Sequence, residues 1–174
     1  MKTPIIGFVS AHRNMGKTTL IEKLLRLCQQ HQLRVGTIKH THHDIDIDHP
    51  GKDSYRFRHA GAQQTLISCQ QRWALIHEYE DCNEPDLDSL IMRLQHDTLD
   101  LIIFEGFKAA PYPKIEVYRH TSSATPLAQQ DDGIIAIASD DKAPPVPDIP
   151  VLDLNNAENI FQFLETQFEL AKKS

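Results

Sequence analysis

Cysteine is scarce in this chain and badly spaced for cross-linking: Cys28, Cys69 and Cys82 lie far apart and form no C-x-x-C pair. That excludes a disulfide framework and a cysteine-based zinc site, and it fits a reducing compartment. Long apolar runs are missing too. The opening "MKTPIIGFVSAHRN" turns polar after a short apolar stretch, and nowhere do the roughly 18 apolar residues of a membrane span follow one another. Neither a signal peptide nor a membrane helix is expected, and the protein is expected in the cytoplasm. Positive charge is also in deficit: 18 Lys+Arg stand against 24 Asp+Glu, a net of −6, with no long basic run. A protein that grips nucleic acid through its phosphates needs the opposite balance. There is no internal repeat and no low-complexity tract.

What is present is 174 residues, the length of one ordinary domain and enough to bury a core without metal or disulfide support. Residues 1–174 are therefore expected to form a single domain. "IIGFV" (5–9) is a short, almost continuous apolar run, as in a strand buried on both faces of a parallel sheet. From Lys17 the period changes: Leu20, Ile21, Leu24, Leu25, Leu27 and Cys28 recur at helical spacing to about His31. "VGTIK" (35–39) closes a strand, loop, helix, strand unit.

Beyond a polar loop broken by Pro50 and Gly51, "YRFRHAG" is a short helical segment. "TLISCQQRWALIHEY" (65–79) has the pattern of two strands joined by a tight turn, an antiparallel hairpin expected on the sheet's edge. "DLDSLIMRLQ" predicts a helix, "LDLIIFEGFK" the most apolar strand, and "KIEVYR", "GIIAIAS" and "IPVLDL" three more. A terminal helix, "NNAENIFQFLETQFELAKK", follows, with Asn155 and Glu158 spaced as an N-cap pair. The four prolines of "DDKAPPVPDIP" (140–150) suggest an extended connector. Strands alternating with helices give an α/β class with a mainly parallel sheet, whose ligands sit at the carboxyl ends of strands.

Between the first strand and first helix lies "SAHRNMGKTTL" (10–20), which ends like the phosphate-binding pattern G-x-x-x-x-G-K-[ST]. Such a loop converges backbone N–H groups on phosphates at the positive end of a helix, while a lysine neutralises charge and a hydroxyl holds Mg²⁺. Asn14, Met15, Gly16, Lys17, Thr18 and Thr19 are the candidate nucleotide-binding residues, with Thr18 also on the metal. The first glycine of the pattern is replaced by Ala11, which costs only a methyl group if its φ is negative. Asn14 falls where a positive φ is expected, and asparagine is the non-glycine residue best suited to it.

Glu105 ends the most apolar strand, where nucleotide-binding α/β folds place an acid on the magnesium side. "KHTHHDIDIDHPGKDS" gathers His40, His42, His43 and His49 with Asp44, Asp46 and Asp48. Two readings stand: a transition-metal set of histidines and carboxylates, or a switch-type loop whose Asp44 or Asp46 approaches Mg²⁺ and nucleotide. The absence of a cysteine among the histidines favours the second. Asp140, just past the late strand "AIAS", sits where guanine-specific folds place a carboxylate for the base, although the usual N-K-x-D pattern is absent.

"NMGKTTLIEKL", "TIKHTHHDIDIDHPGKDSYRFRHAGA", "QQRWAL" and "LDLIIFEGFK" together resemble the molybdopterin-guanine dinucleotide biosynthesis protein B family, MobB, over about residues 5 to 108. The resemblance implies a P-loop α/β fold that forms a homodimer through a sheet extension, for which the 65–79 hairpin is the candidate. It implies a GTP-binding accessory protein with weak Mg²⁺-dependent GTPase activity, acting beside a MobA-type guanylyltransferase that attaches GMP to molybdopterin. Lys108, in "EGFK", belongs to a family motif whose role the residues alone do not reveal, and no role is carried onto 109–133. Two alternatives stay open. A metallochaperone GTPase would need tight nickel or zinc binding by the histidine loop, and a small-molecule kinase would show ATP preference and fast turnover. Neither an arginine finger nor a water-orienting glutamine is evident, so hydrolysis is expected to be slow at most.

Overall fold

The computed structural model describes residues 3–41, 45, 47–80, 85–119, 125–140 and 146–170. The chain divides into two compact units, Met1–His40 with Asp86–Ser174, and Thr41–Pro85. The larger unit is built on a six-stranded sheet in the order β2-β5-β1-β6-β7-β8, from β1 (Ile5–Val9), β2 (Val35–Lys39), β5 (Leu101–Glu105), β6 (Lys114–Tyr118), β7 (Ile134–Ser139) and β8 (Val151–Asp153). Every pairing in it is parallel. The central strands β1 and β6 are buried along their whole length, and β5 is buried for four of its five residues. Apolar runs are the expected signature of such double coverage.

Alternation along the strands sorts the side chains onto two faces. Ile6, Phe8, Leu101, Ile103, Ile115 and Val117 pack with Leu20, Ile21 and Leu24 of α1 (Lys17–Gln30) and with Ile160, Phe161 and Leu164 of α4 (Ala157–Phe168). On the opposite face Ile5, Ile102 and Phe104 pack with Leu87 and Ile91 of α3 (Leu87–Ile91). The result is three layers with the sheet in the middle. Cys28, on the buried stripe of α1, has its thiol pushed up to about 11 by burial, so it serves as apolar filling.

The smaller unit holds α2 (Asp53–His59), β3 (Gln64–Ser68) and β4 (Trp73–His77). The hairpin is antiparallel as expected, but it forms a two-stranded sheet of its own instead of extending the large one. Nothing in the local pattern distinguishes an edge pair from an independent one, since both need only alternation and a turn. Gly61, at φ 104, ends α2, with Ala62 N–H donating back to Phe57 O.

Two helix ends also differ from expectation. Asn156, not Asn155, caps α4, its side chain accepting from Asn159 N–H at 3.1 Å; Asn155 N–H instead donates to Asp153. The helix expected over "DLDSLIMRLQ" is regular only to Ile91, because Arg93 and Leu94 donate to Leu90 and Ile91, three residues back, and the last turn tightens and stops. Residues 141–145 of the proline-rich connector, the chain end from 171, and Cys82 lie outside the described residues.

Two buried features of the sheet set its tolerance to substitution. A Cβ on Gly7 would overlap the Phe104 ring and stand 2.9 Å from Lys114 Cγ, so the glycine makes room for its neighbours on both flanking strands. Glu116 is wholly buried and accepts from the N–H groups of Leu127 (2.9 Å) and Ala128 (3.0 Å) in the 3-10 turn Leu127–Gln129. Burial raises its carboxyl above the usual value, against the opposing pull of those two donors. Gly7→Ala should lower unfolding stability by about 1–3 kcal/mol in urea titration with the m-value unchanged. Glu116→Ala strands two buried donors and should cost about 2 kcal/mol or more, with faster amide exchange at Leu127 and Ala128 as the local signature.

Candidate functional site

β1 lies between β5 and β6, and the chain runs from it to β2 on one side before returning to β6 on the other. That reversal leaves a crevice at the carboxyl end of β1, the usual ligand position in open α/β sheets. The loop from Ser10 to Gly16 occupies this end. Ala11 is not among the residues with positive φ, whereas Asn14 has φ 60 and Gly16 φ 99, so both departures from the phosphate-loop pattern fit their backbone. The α1 N-terminus carries no side-chain cap and no acid in its first turn, leaving its positive end suited to an anion. Met15 divides its duties: its side chain is buried in the core under α1, and its carbonyl stays in the loop.

Lys17 Nζ donates to Ser10 Oγ at 2.6 Å, and Ser10 Oγ donates to the His12 carbonyl at 2.6 Å. Burial draws the Lys17 ammonium below the ordinary lysine value; Glu105 opposes that, and the positive charges of Lys108 and Lys39 add to it. Thr18, exposed at the start of α1, donates to the Glu105 carboxylate at 3.2 and 3.1 Å. Lys39 Nζ approaches the same carboxylate at 3.7 Å. Parallel pairing of β5 beside β1 is what joins two residues 87 apart in sequence. A threonine hydroxyl beside a carboxylate is a hard-oxygen pair that fits Mg²⁺.

Past Glu105 the backbone turns sharply, with Gly106 at φ 99 and Phe107 at φ 48. Left-handed backbone is strained for an aromatic residue, and here it is held by stacking of Phe107 on His40, ring centroids 4.7 Å apart. A Cβ on Gly106 would come to 3.0 Å from His40 Cβ. The turn delivers Lys108 Nζ to the Ala11 carbonyl at 3.1 Å. Thus the "EGFK" lysine fastens the entry of the phosphate loop, a role that its local sequence could not reveal.

Two further groups complete this end of the sheet. Arg119, the first residue after β6, donates through Nε to the Met15 carbonyl at 3.1 Å and through Nη1 to Asp140 Oδ2 at 2.7 Å. Sequence reasoning missed Arg119 and Ser10, since neither belongs to a recognisable motif. Asp140 sits just past β7, as expected, but with one carboxylate oxygen held by Arg119.

In the smaller unit, Asp48 accepts from His49 N–H at 2.9 Å, and a hydrogen bond from Ser54 holds its carboxyl below the usual range, so this acid of the histidine-rich stretch organises the approach to α2. His42, His43, Asp44 and Asp46 lie outside the described residues. Among the described residues no three His, Cys, Asp or Glu side chains gather as a metal-binding group, and no helix is long and apolar enough to cross a membrane.

Comparison with known proteins extends this picture over most of the chain. The family model for molybdopterin guanine dinucleotide synthesis protein B, MobB, matches residues 5–140. A molybdopterin-guanine dinucleotide biosynthesis adapter protein of Escherichia coli (strain K12) is 44% identical over 92% of this chain and 91% of its own length. A protein of the same description from Haemophilus influenzae is 35% identical over 93% of this chain and 88% of its own. Among solved structures, Bacillus subtilis MobB superposes with a TM-score of 0.73 at 27% identity, over 95% of this chain and 98% of that one. A MobB homologue from Bacillus stearothermophilus, 22% identical, superposes at 0.72 over 96% and 99% of the two chains and shares the fold. The phosphate-loop geometry and the agreement along the chain lead to one conclusion: this protein belongs to the MobB family.

Proposed function

We propose that this chain is a GTP-binding adapter in the biosynthesis of molybdopterin-guanine dinucleotide, acting in the cytoplasm beside a MobA-type guanylyltransferase and its molybdopterin substrate. The observation that carries the nucleotide reading is the convergence of Lys17, Thr18 and Glu105 on the loop at the end of β1. The names of the Escherichia coli and Haemophilus influenzae relatives support the adapter role.

In this reading the N–H groups from Asn14 to Thr19 hold the phosphates, and Lys17 exchanges its Ser10 contact for a phosphate oxygen. Thr18 and Glu105 hold Mg²⁺, which when bound neutralises charge on the terminal phosphates. Asp140 reads guanine with its carboxylate, since adenine offers no paired donors there. With no group assigned to orient the attacking water, turnover by the chain alone is slow. Homodimer formation fits the smaller unit: Leu66 and Leu75 stand directly opposite on the hairpin, Trp73 shares their face, and all three are exposed.

Lys17→Ala should weaken GTP binding in calorimetry on the order of 100-fold, the effect of losing a charge-assisted contact and its ion attraction; unchanged affinity would refute the site. Glu105→Gln should flatten the Mg²⁺ dependence of GTP binding while leaving metal-free affinity nearly as it was. A panel of GTP, GDP and ATP with Mg²⁺, repeated with the guanylyltransferase and molybdopterin, tests the adapter role. It expects GTP preference, a ternary complex and little turnover. ATP preference or fast acceptor phosphorylation would overturn it.

A further inference from the structure

Three parallel neighbours, β1, β6 and β7, end on the same edge of the sheet. The phosphate loop follows the first, Arg119 the second and Asp140 the third, so Arg119 stands between the loop and the acid assigned to the base. Its guanidinium is held at two points and passes close over Gly16. Nε holds the Met15 carbonyl at 3.1 Å, Nη1 holds Asp140 at 2.7 Å, and Nη2 lies 3.3 Å from where a Gly16 Cβ would be. Met15 and Gly16 are the two residues that turn the loop into α1, and Gly16 does so in the left-handed conformation. Fixing the Met15 carbonyl fixes the peptide plane whose N–H belongs to Gly16, and hence the direction in which the loop's donors point.

From this geometry, and resting on the nucleotide reading above, we infer that Arg119 is a positioning residue that sets the phosphate loop's donors and is itself aimed by Asp140. Asp140 therefore serves the phosphates as well as the base. Only a planar fork can meet a carbonyl and a carboxylate lying in different directions while spanning a glycine. A lysine at this position would supply the charge without the bridge.

The consequence runs against simple electrostatics. Removing the negative charge of Asp140 from the neighbourhood of an anion site should tighten anion binding by Coulomb's law. If Asp140 instead aims Arg119, its removal should weaken binding, even of a ligand with no base to read.

Calorimetry of Mg²⁺-tripolyphosphate and Mg²⁺-GTP binding to the full chain tests this with R119A, R119K, D140A, the R119A/D140A double variant and K17A. Arg119→Ala should weaken tripolyphosphate about tenfold, one charge-assisted hydrogen bond's worth. Asp140→Ala should weaken it several-fold, and the double variant should be no worse than R119A alone, as for residues acting in series. Arg119→Lys should recover only a small part of the loss. Unchanged or tighter tripolyphosphate binding in D140A, additive losses, or full recovery in R119K overturns the inference. Asp140 is a partly exposed surface residue, so D140A keeps the test open should R119A fold poorly, which thermal melting reports. Loss of binding in K17A with none in R119A rejects the positioning role alone. A wild-type chain that binds neither ligand rejects the nucleotide reading and this inference together.

Discussion

The parallel seating of β1 between β5 and β6 is the constraint from which the arrangement around the loop after β1 follows. A strand packed on both faces cannot slip by one residue without sending each face's side chains into the packing of the other, and here it would also carry Gly7 away from Phe104 and Lys114. Its last residue is therefore placed as firmly as the core itself, and so are the ends of its neighbours. From one neighbour come Glu105 and, one turn later, Lys108; from the other comes Arg119. The phosphate loop is thus held at its entry through Ala11 and near its exit through Met15, each by a cation donating to a backbone carbonyl. Carbonyls are thus engaged at both ends of the loop, as the proposed anion-binding role of its N–H groups requires.

The same arrangement explains the electrostatic character of the site. Lys39 and Lys108 both disfavour the charge on Lys17, and the desolvation of Lys17 adds to their effect. Glu105 is the acid that offsets this at the loop, and it does so while hydrogen-bonded to Thr18. A carboxylate so placed holds positive charge together at the loop, and in the function proposed above the same oxygens would serve a divalent ion.

Much of this was legible in the sequence because the signals are local. The change from the apolar run of β1 to the helical spacing of α1 brackets the loop, and Asn14 and Gly16 announce the left-handed turns that they take. Glu105 was legible because it ends the most apolar strand. What escaped depends on which strands become neighbours, and a linear pattern does not carry that. Arg119 matters only because β6 separates β1 from β7. Lys108 reaches Ala11 only through the two left-handed residues before it, one of them an aromatic that no propensity would place there. The hairpin's independence of the main sheet and the one-residue displacement of the α4 cap are of the same kind: the elements were readable, and the partner that decides their detail was not.

β6 carries a consequence for how the chain assembles. Its sequence, "KIEVY", puts Lys114 and Glu116 on one face of a fully buried strand. Lys114 is satisfied by the Ala110 carbonyl and by Asp131, and Glu116 by the N–H groups of Leu127 and Ala128. Docking β6 against β1 before residues 127–131 arrive would leave Glu116 without the two donors that offset its burial, and Lys114 with the Ala110 carbonyl but without its carboxylate partner. β6 therefore reaches its full stability in the sheet only together with the 127–131 segment that follows it in the chain.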